Sequence, residues 1–193
     1  MKFFDYLEGK IDKSFVVAYT GRFCPPHNGH ISVFKKLQAQ FGADKVYIIT
    51  LDKSATSPFS FQQKVELFSL FGIDSQFVKK MESSGYNGPA IMNAIGKDLG
   101  NGLVVAIGEK DKDRLKIDGM TKTGKATYFK TYQGSVDETA ETSGYVYVIK
   151  NEMSSKKVIN ASEVREAIQN NNYKSVKGYL PEEVFNKAKE MMG

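Results

Sequence analysis

The chain contains no tryptophan, one cysteine and two histidines. The single thiol, Cys24, excludes an intrachain disulfide framework and fits a reducing compartment. A structural zinc site usually takes four ligands, mostly Cys and His. Cys24, His27 and His30 cannot complete one without carboxylates, so no protein-held metal is expected. Long apolar runs are also missing, and none approaches a membrane span. The opening Met1–Glu8 is too charged for a secretory apolar region. These features predict a cytoplasmic protein with no membrane contact. Neither charge sign dominates, since 27 Lys and Arg face 22 Asp and Glu, for a net +5. That balance suits anionic partners. The basic residues are mixed with acids, as in Glu109–Arg114, so a small phosphorylated metabolite is favoured over nucleic acid.

The chain does have enough apolar residues for a core, and its 193 residues fit one domain or one domain with an elaboration. Apolar runs alternate with helix-period segments, the pattern of a parallel sheet flanked by helices. Strands are expected at 15–20, 45–51, 76–80, 103–107 and 144–149, and helices at 29–41, 61–71, 89–99, 161–170 and 181–191. In the first helix Ile31, Phe34, Leu37 and Phe41 form a core-facing stripe. Residues 109–143 interrupt the rhythm with charged residues and Gly119, Gly124 and Gly134, and 128–132 reads as a short strand within them. This segment is either a solvated excursion or a lid at the ligand-binding end of the sheet.

Two stretches carry the chemistry. The first is Gly21-Arg22-Phe23-Cys24-Pro25-Pro26-His27-Asn28-Gly29-His30, at a strand-to-helix turn. Backbone N–H groups and the helix dipole make such a turn a phosphate site, and two imidazoles add donors. A nucleotide is therefore the first ligand to consider. The second is Ile159-Asn160-Ala161-Ser162-Glu163-Val164-Arg165. Asn160 reads as an N-cap with Glu163 in the capping-box position, so the helix should start near Ala161. Ser162 then sits in the first turn with Arg165 on the same face. A hydroxyl, free amides, the positive helix end and a guanidinium suit a di- or triphosphate. A parallel sheet could bring both helix N-termini to one edge, so that the histidines face Ser162 and Arg165 across one nucleotide.

Read together, the two stretches resemble the signatures of the HxGH nucleotidylyltransferase superfamily. The first, with Gly21-Arg22-Phe23 before His27-x-Gly29-His30, is similar to the form common among nicotinamide-nucleotide adenylyltransferases. The second resembles the family's I-S-S-T-x-I-R, with Asn160 and Ala161 for the two serines, Ser162 for the threonine and Val164 for the isoleucine. Ile168, Val176, Tyr179-Leu180-Pro181 and Val184 resemble its closing helix–turn–helix. The similarity spans both ends and the sheet rhythm between them, but not 109–143.

The resemblance implies a single Rossmann-like α/β domain over 1–193 with a C-terminal helical tail, 159–193, that binds phosphate. It implies transfer of a nucleoside monophosphate, from ATP in preference to CTP, onto a phosphorylated acceptor such as nicotinamide mononucleotide. Pyrophosphate leaves. His27, His30 and Arg165 would be catalytic, and Gly21, Arg22, Phe23, Gly29 and Ser162 would bind nucleotide phosphates. Gly21 would allow close ligand approach. Mg²⁺ would be held mainly by the triphosphate, with no protein ligand assigned. Gly108 and Asp111 stand where relatives contact base or acceptor, although Asp111 could equally be an exposed loop acid. Lys64 stands where many relatives have arginine, facing the acceptor or solvent. Cys24 occupies a variable position and reads as a bystander.

Several relatives stack nicotinamide on tryptophan, so one of this chain's 13 Phe or 10 Tyr would have to serve. Alternatives are cytidylyl transfer to a sugar or polyol phosphate, or a non-catalytic nucleotide-sensing or RNA-binding module. Met153-Ser154-Ser155-Lys156-Lys157 has a faint likeness to the K-M-S-K-S loop of class I aminoacyl-tRNA synthetases. The chain is too short for their tRNA-reading domains.

Overall fold

The structure is a computed structural model that describes residues 14–55, 57–82, 86–150 and 161–193. Six parallel strands form one sheet, in the order β3-β2-β1-β4-β6-β5. They are β1 (Phe15–Thr20), β2 (Val46–Thr50), β3 (Val78–Lys80), β4 (Gly102–Gly108), β5 (Phe129–Thr131) and β6 (Gly144–Ile149). The helices are α1 (Asn28–Phe41), α2 (Phe61–Ser69), α3 (Gly88–Ile95), α4 (Ala161–Gln169), α5 (Tyr173–Val176) and α6 (Glu182–Met192). This is a Rossmann-like α/β fold. Among the described residues, no helix is long and apolar enough to cross a membrane.

Strand alternation divides the core between the two faces of the sheet. Phe15, Val17 and Tyr19 of β1 join Val104 and Ala106 of β4 and the α1 stripe Ile31, Phe34, Leu37 and Phe41. Val16 and Ala18 point the other way, with Leu103, Val105 and Ile107, onto Ile91, Met92 and Ile95 of α3. A third apolar cluster joins α4, α5 and α6 to Leu67 of α2 and to Cys24 in the β1–α1 turn. The C-terminal helices are thus seated on the first signature, and Lys187 Nζ pairs with Glu66 Oε1 of α2 at 2.9 Å.

Local chemistry explains where the elements stop. α3 ends at Ile95, short of the predicted 99, because Gly96 adopts the left-handed conformation that closes helices (φ 76°). β3 is shorter than expected because Asp74 caps a 3-10 turn over Ser75–Phe77. The four-residue α5 had no periodicity from which to predict it.

The expected choice for 109–143 between solvated excursion and lid is replaced by a division. Residues 120–126 are exposed, but β5 joins the sheet edge beside β6. Val136 is fully buried and Ala140 N–H donates to the Asn101 carbonyl at 2.8 Å. A Cβ on Gly102 would meet Val136 Cγ1 at 2.2 Å, so glycine at the start of β4 permits this docking. Lys130 and Ser143 both hydrogen-bond Glu138 beneath the segment. Val136→Ala should therefore destabilise the protein by about 2 kcal/mol, from two buried methyl groups at roughly 0.8 kcal/mol each plus a cavity. Denaturant unfolding measures this, and a change near zero would mean that the segment is not docked.

Candidate active site

The order of the sheet reverses between β1 and β4, and ligand crevices of such sheets lie at the carboxyl ends of the strands beside that reversal. A cavity of about 980 Å³ lies there. Its lining includes Thr20–Cys24 after β1, His30, Gly108–Asp111 after β4, and Ser162 and Arg165 of α4. The two signature stretches therefore share one cavity.

Arg165 joins them directly. Its Nη1 donates to the Cys24 carbonyl at 2.9 Å and its Nη2 to Ser162 Oγ at 3.2 Å. A second tie runs from the α1 N-terminus to the tail, where Asn28 N–H donates to the Tyr179 carbonyl at 2.8 Å. Among the described residues α4 runs over Ala161–Gln169 and carries Ser162 and Arg165. Ile159, the expected cap Asn160 and the 153–157 stretch lie outside the described residues.

His27 is the N-cap of α1, and its Nδ1 accepts from Gly29 N–H at 3.2 Å. That bond assigns the neutral ring's proton to Nε2, the remaining donor. A Cβ on Gly29 would lie 3.0 Å from His27 Cε1, so glycine leaves room for the ring. The His27 and His30 rings stack, with centroids 3.7 Å apart. His30 lines the cavity, whereas His27 lies against it from the side and is not part of the lining. Phe23 meets the His30 ring edge-on at 5.0 Å.

Phe23 and Gly21 both border the cavity and also pack against each other. Phe23 has φ 46° and a buried ring packed on Tyr19 and Phe68. Such a backbone conformation costs about 1–3 kcal/mol for a non-glycine residue and is offset by burying the ring. A Cβ on Gly21 would lie 2.7 Å from that ring, so Gly21 makes room for Phe23 as well as bordering the cavity. Arg22 is exposed at the rim. Gly108 ends β4, and Asp111, in a 3-10 turn over Glu109–Arg114, pairs with Arg114 Nη1 at 2.8 Å.

Lys64 corrects the solvent-facing reading, because it is fully buried; it is not among the residues that line the cavity. Its Nζ donates to the Leu51 carbonyl at 2.7 Å. Cys24 is no bystander either. It is buried, its Sγ lies 2.8 Å from Ser57 Oγ, and its carbonyl anchors Arg165. The variable side chain in the signature gave no hint of this, because the anchoring atom belongs to the backbone. Gln169 and Met192 also line the cavity. Only packing of the tail brings these helix ends there, so no local pattern marked them.

Burial lowers the pKa of both histidines. His27 falls to about 4, and His30 falls well below its ordinary value through burial and then the His27 charge. Both rings are therefore neutral at pH 7. His30 Nδ1 is buried without a hydrogen-bond partner among the described residues.

The two stretches that resemble the HxGH nucleotidylyltransferase signatures thus border one cavity at the carboxyl ends of a parallel sheet. A protein-family model described as cytidylyltransferase-like matches residues 18–177, and the chain belongs to that family. The probable nicotinate-nucleotide adenylyltransferases of Legionella pneumophila strains Corby and Paris are each 38% identical over 58 residues, 28% of this chain and 28% of the relative. The matched region thus spans little more than a quarter of those relatives. The Plasmodium falciparum nicotinic acid mononucleotide adenylyltransferase complexed with APC superposes with a TM-score of 0.58, at 14% identity, over 92% of this chain and 95% of that one. Its complex with NaAD gives 0.54 at 15% identity, over the same shares. At these identities the likeness concerns the fold.

The neutral histidine pair has a measurable consequence. With a folded pKa near 4 against an ordinary 6.5, the unfolded chain binds more protons at His27 between those values. Stability should therefore fall as pH drops from about 6.5 toward 4. Asp52, held at about 2 by the Phe61 and Lys53 N–H groups and then by Lys80, loses its contribution at lower pH. Melting temperatures from pH 7 to 4 should show a slope that flattens in the His27→Gln/His30→Gln variant. An unchanged slope would refute the neutral pair.

Proposed function

We propose that the protein is a nucleotidylyltransferase that moves the adenylyl group of ATP onto a pyridine mononucleotide, nicotinate or nicotinamide, and releases pyrophosphate. The observation that carries this reading is the Arg165 bridge to the Cys24 carbonyl, with Arg165, Ser162 and His30 all lining one cavity. The family assignment and the names of the relatives support the reaction class and the acceptor. The two anions and the neutral cytoplasmic setting we infer for the enzyme agree with the basic balance of the chain.

In this mechanism an acceptor phosphate oxygen attacks the α-phosphorus in line. A new P–O bond forms, the α–β bridging bond breaks, and its electron pair leaves with pyrophosphate. A phosphate monoester is already nucleophilic near neutral pH, so no general base is needed. The chain's work is to hold two anions together and to spread the charge that develops. His27 Nε2–H and the His30 ring donate around the α-phosphate, and a bound anion raises their pKa values. Arg165, Ser162 and the α4 N-terminus take the β,γ-phosphates. Gly108 and Asp111 also border the cavity and would contact base or acceptor.

Mg²⁺ fits as the triphosphate's counterion. Among the described residues no three His, Cys, Asp or Glu side chains converge to hold an ion, so phosphate oxygens and water would supply most ligands. When bound, it would neutralise phosphate charge.

Pyrophosphate release with Mg²⁺ tests the proposal, comparing ATP with CTP and the pyridine mononucleotides with glycerol phosphate, sugar phosphates and phosphopantetheine. Turnover is expected with ATP and a pyridine mononucleotide. His30→Ala should lower kcat by about 10²–10³-fold, the cost of one transition-state donor. CTP-dependent release onto a polyol or sugar phosphate, or turnover that survives His30→Ala, would overturn it.

A further inference from the structure

Lys64 is an ammonium buried between α2 and the end of β2, with no relative exposure. Charge is expensive to bury unless its surroundings compensate it. Among the described residues no carboxylate oxygen lies within 4.0 Å of its Nζ, and Asp52 acts on it only through its charge at longer range. Its Nζ donates instead to the Leu51 carbonyl at 2.7 Å and to Thr50 Oγ1 at 3.4 Å. Burial lowers its pKa, an effect opposed chiefly by nearby Cys24.

These contacts continue into the anion site. Thr50 Oγ1 donates to the Arg22 carbonyl at 3.4 Å, and Cys24 Sγ reaches that carbonyl at 3.0 Å. The Cys24 carbonyl then accepts Arg165 Nη1 at 2.9 Å. A polar path thus runs from α2, beneath the first signature, to the guanidinium of the second. Lys64 touches neither the cavity nor a ligand position. Its charge lies behind the turn that carries Arg22, Phe23 and Cys24.

We infer that Lys64 is a positioning residue for the anion site, its ammonium clamping the end of β2 beneath the Arg22–Cys24 turn and so fixing the carbonyl on which Arg165 is anchored. This deepens the reading of the cavity as a triphosphate site and rests on it. Lys64 acts on phosphate affinity through Arg165, not on the acceptor.

Calorimetric titration of the full chain with inorganic pyrophosphate tests this without requiring turnover. Lys64→Met keeps length and volume while removing the charge. Lys64→Met should weaken pyrophosphate binding about tenfold, equivalent to about 1.4 kcal/mol. Lys64→Arg should recover most of that loss. In an Arg165→Ala background, Lys64→Met should cost no more than about twofold, because the two act as one unit. The acceptor KM should stay unchanged. Additive losses, unchanged pyrophosphate affinity with only a lowered Tm, or a rise confined to the acceptor KM would each overturn the inference. Should Lys64→Met not fold, Thr50→Val in the same two backgrounds cuts the path at its next atom and is read the same way. A wild-type chain that binds pyrophosphate but turns over no acceptor would end the proposed reaction and leave the positioning role to stand or fall on the binding data.

Discussion

The Arg165 guanidinium holds the site together. Ser162 and Arg165 belong to a helix in the tail of the chain, and the histidine turn follows the first strand. The bond from Arg165 Nη1 to the Cys24 carbonyl closes a gap of 141 residues. Without it, α4 would still pack through Val164, Ala167 and Ile168, since those contacts are apolar and non-directional. Packing seats the helix, but it does not decide where a flexible, charged side chain points. The directional bond to a backbone carbonyl does, and it leaves Arg165 at the edge of a cavity large enough for a nucleotide.

That carbonyl is only as fixed as the turn that carries it. The turn is held on its inner side by Phe23, whose ring is locked among Tyr19, Phe68 and His30. Gly21 is needed because any Cβ there would strike that ring. The glycine of the signature therefore meets a packing requirement as well as bordering the cavity. One aromatic plug orients His30 on one side and steadies the Arg22–Cys24 backbone on the other. The positive φ of Phe23 is the local strain that this shared position entails.

Much of this was legible in the sequence. Alternating apolar strands and the Ile31, Phe34, Leu37 and Phe41 stripe depend on local periodicity, and the structure follows them to within a few residues. The pairing of the two signatures could be read as well, because each marks a helix N-terminus and a parallel sheet gathers such termini at one edge. Lys64 was misread because a lysine on an amphipathic helix is almost always solvated, and only the tertiary seat of α2 against Thr50 and Leu51 buries it. Cys24 was missed because its contribution runs through a carbonyl that every residue type carries. Val136 and Ala140 lie in a segment whose charged opening hides a docked second half.

The histidines show why such a site would be built incomplete. Two half-buried imidazoles stacked 3.7 Å apart resist both being charged without a compensating anion, and none of the described side chains around them supplies one. In the empty protein they stay neutral, which spares the fold a buried like-charge pair. A bound polyphosphate would supply the missing negative charge and raise the pKa of both rings, with His27 offering Nε2–H while its Nδ1 goes on accepting from Gly29 N–H. The same atoms that destabilise a protonated empty site would then stabilise an occupied one.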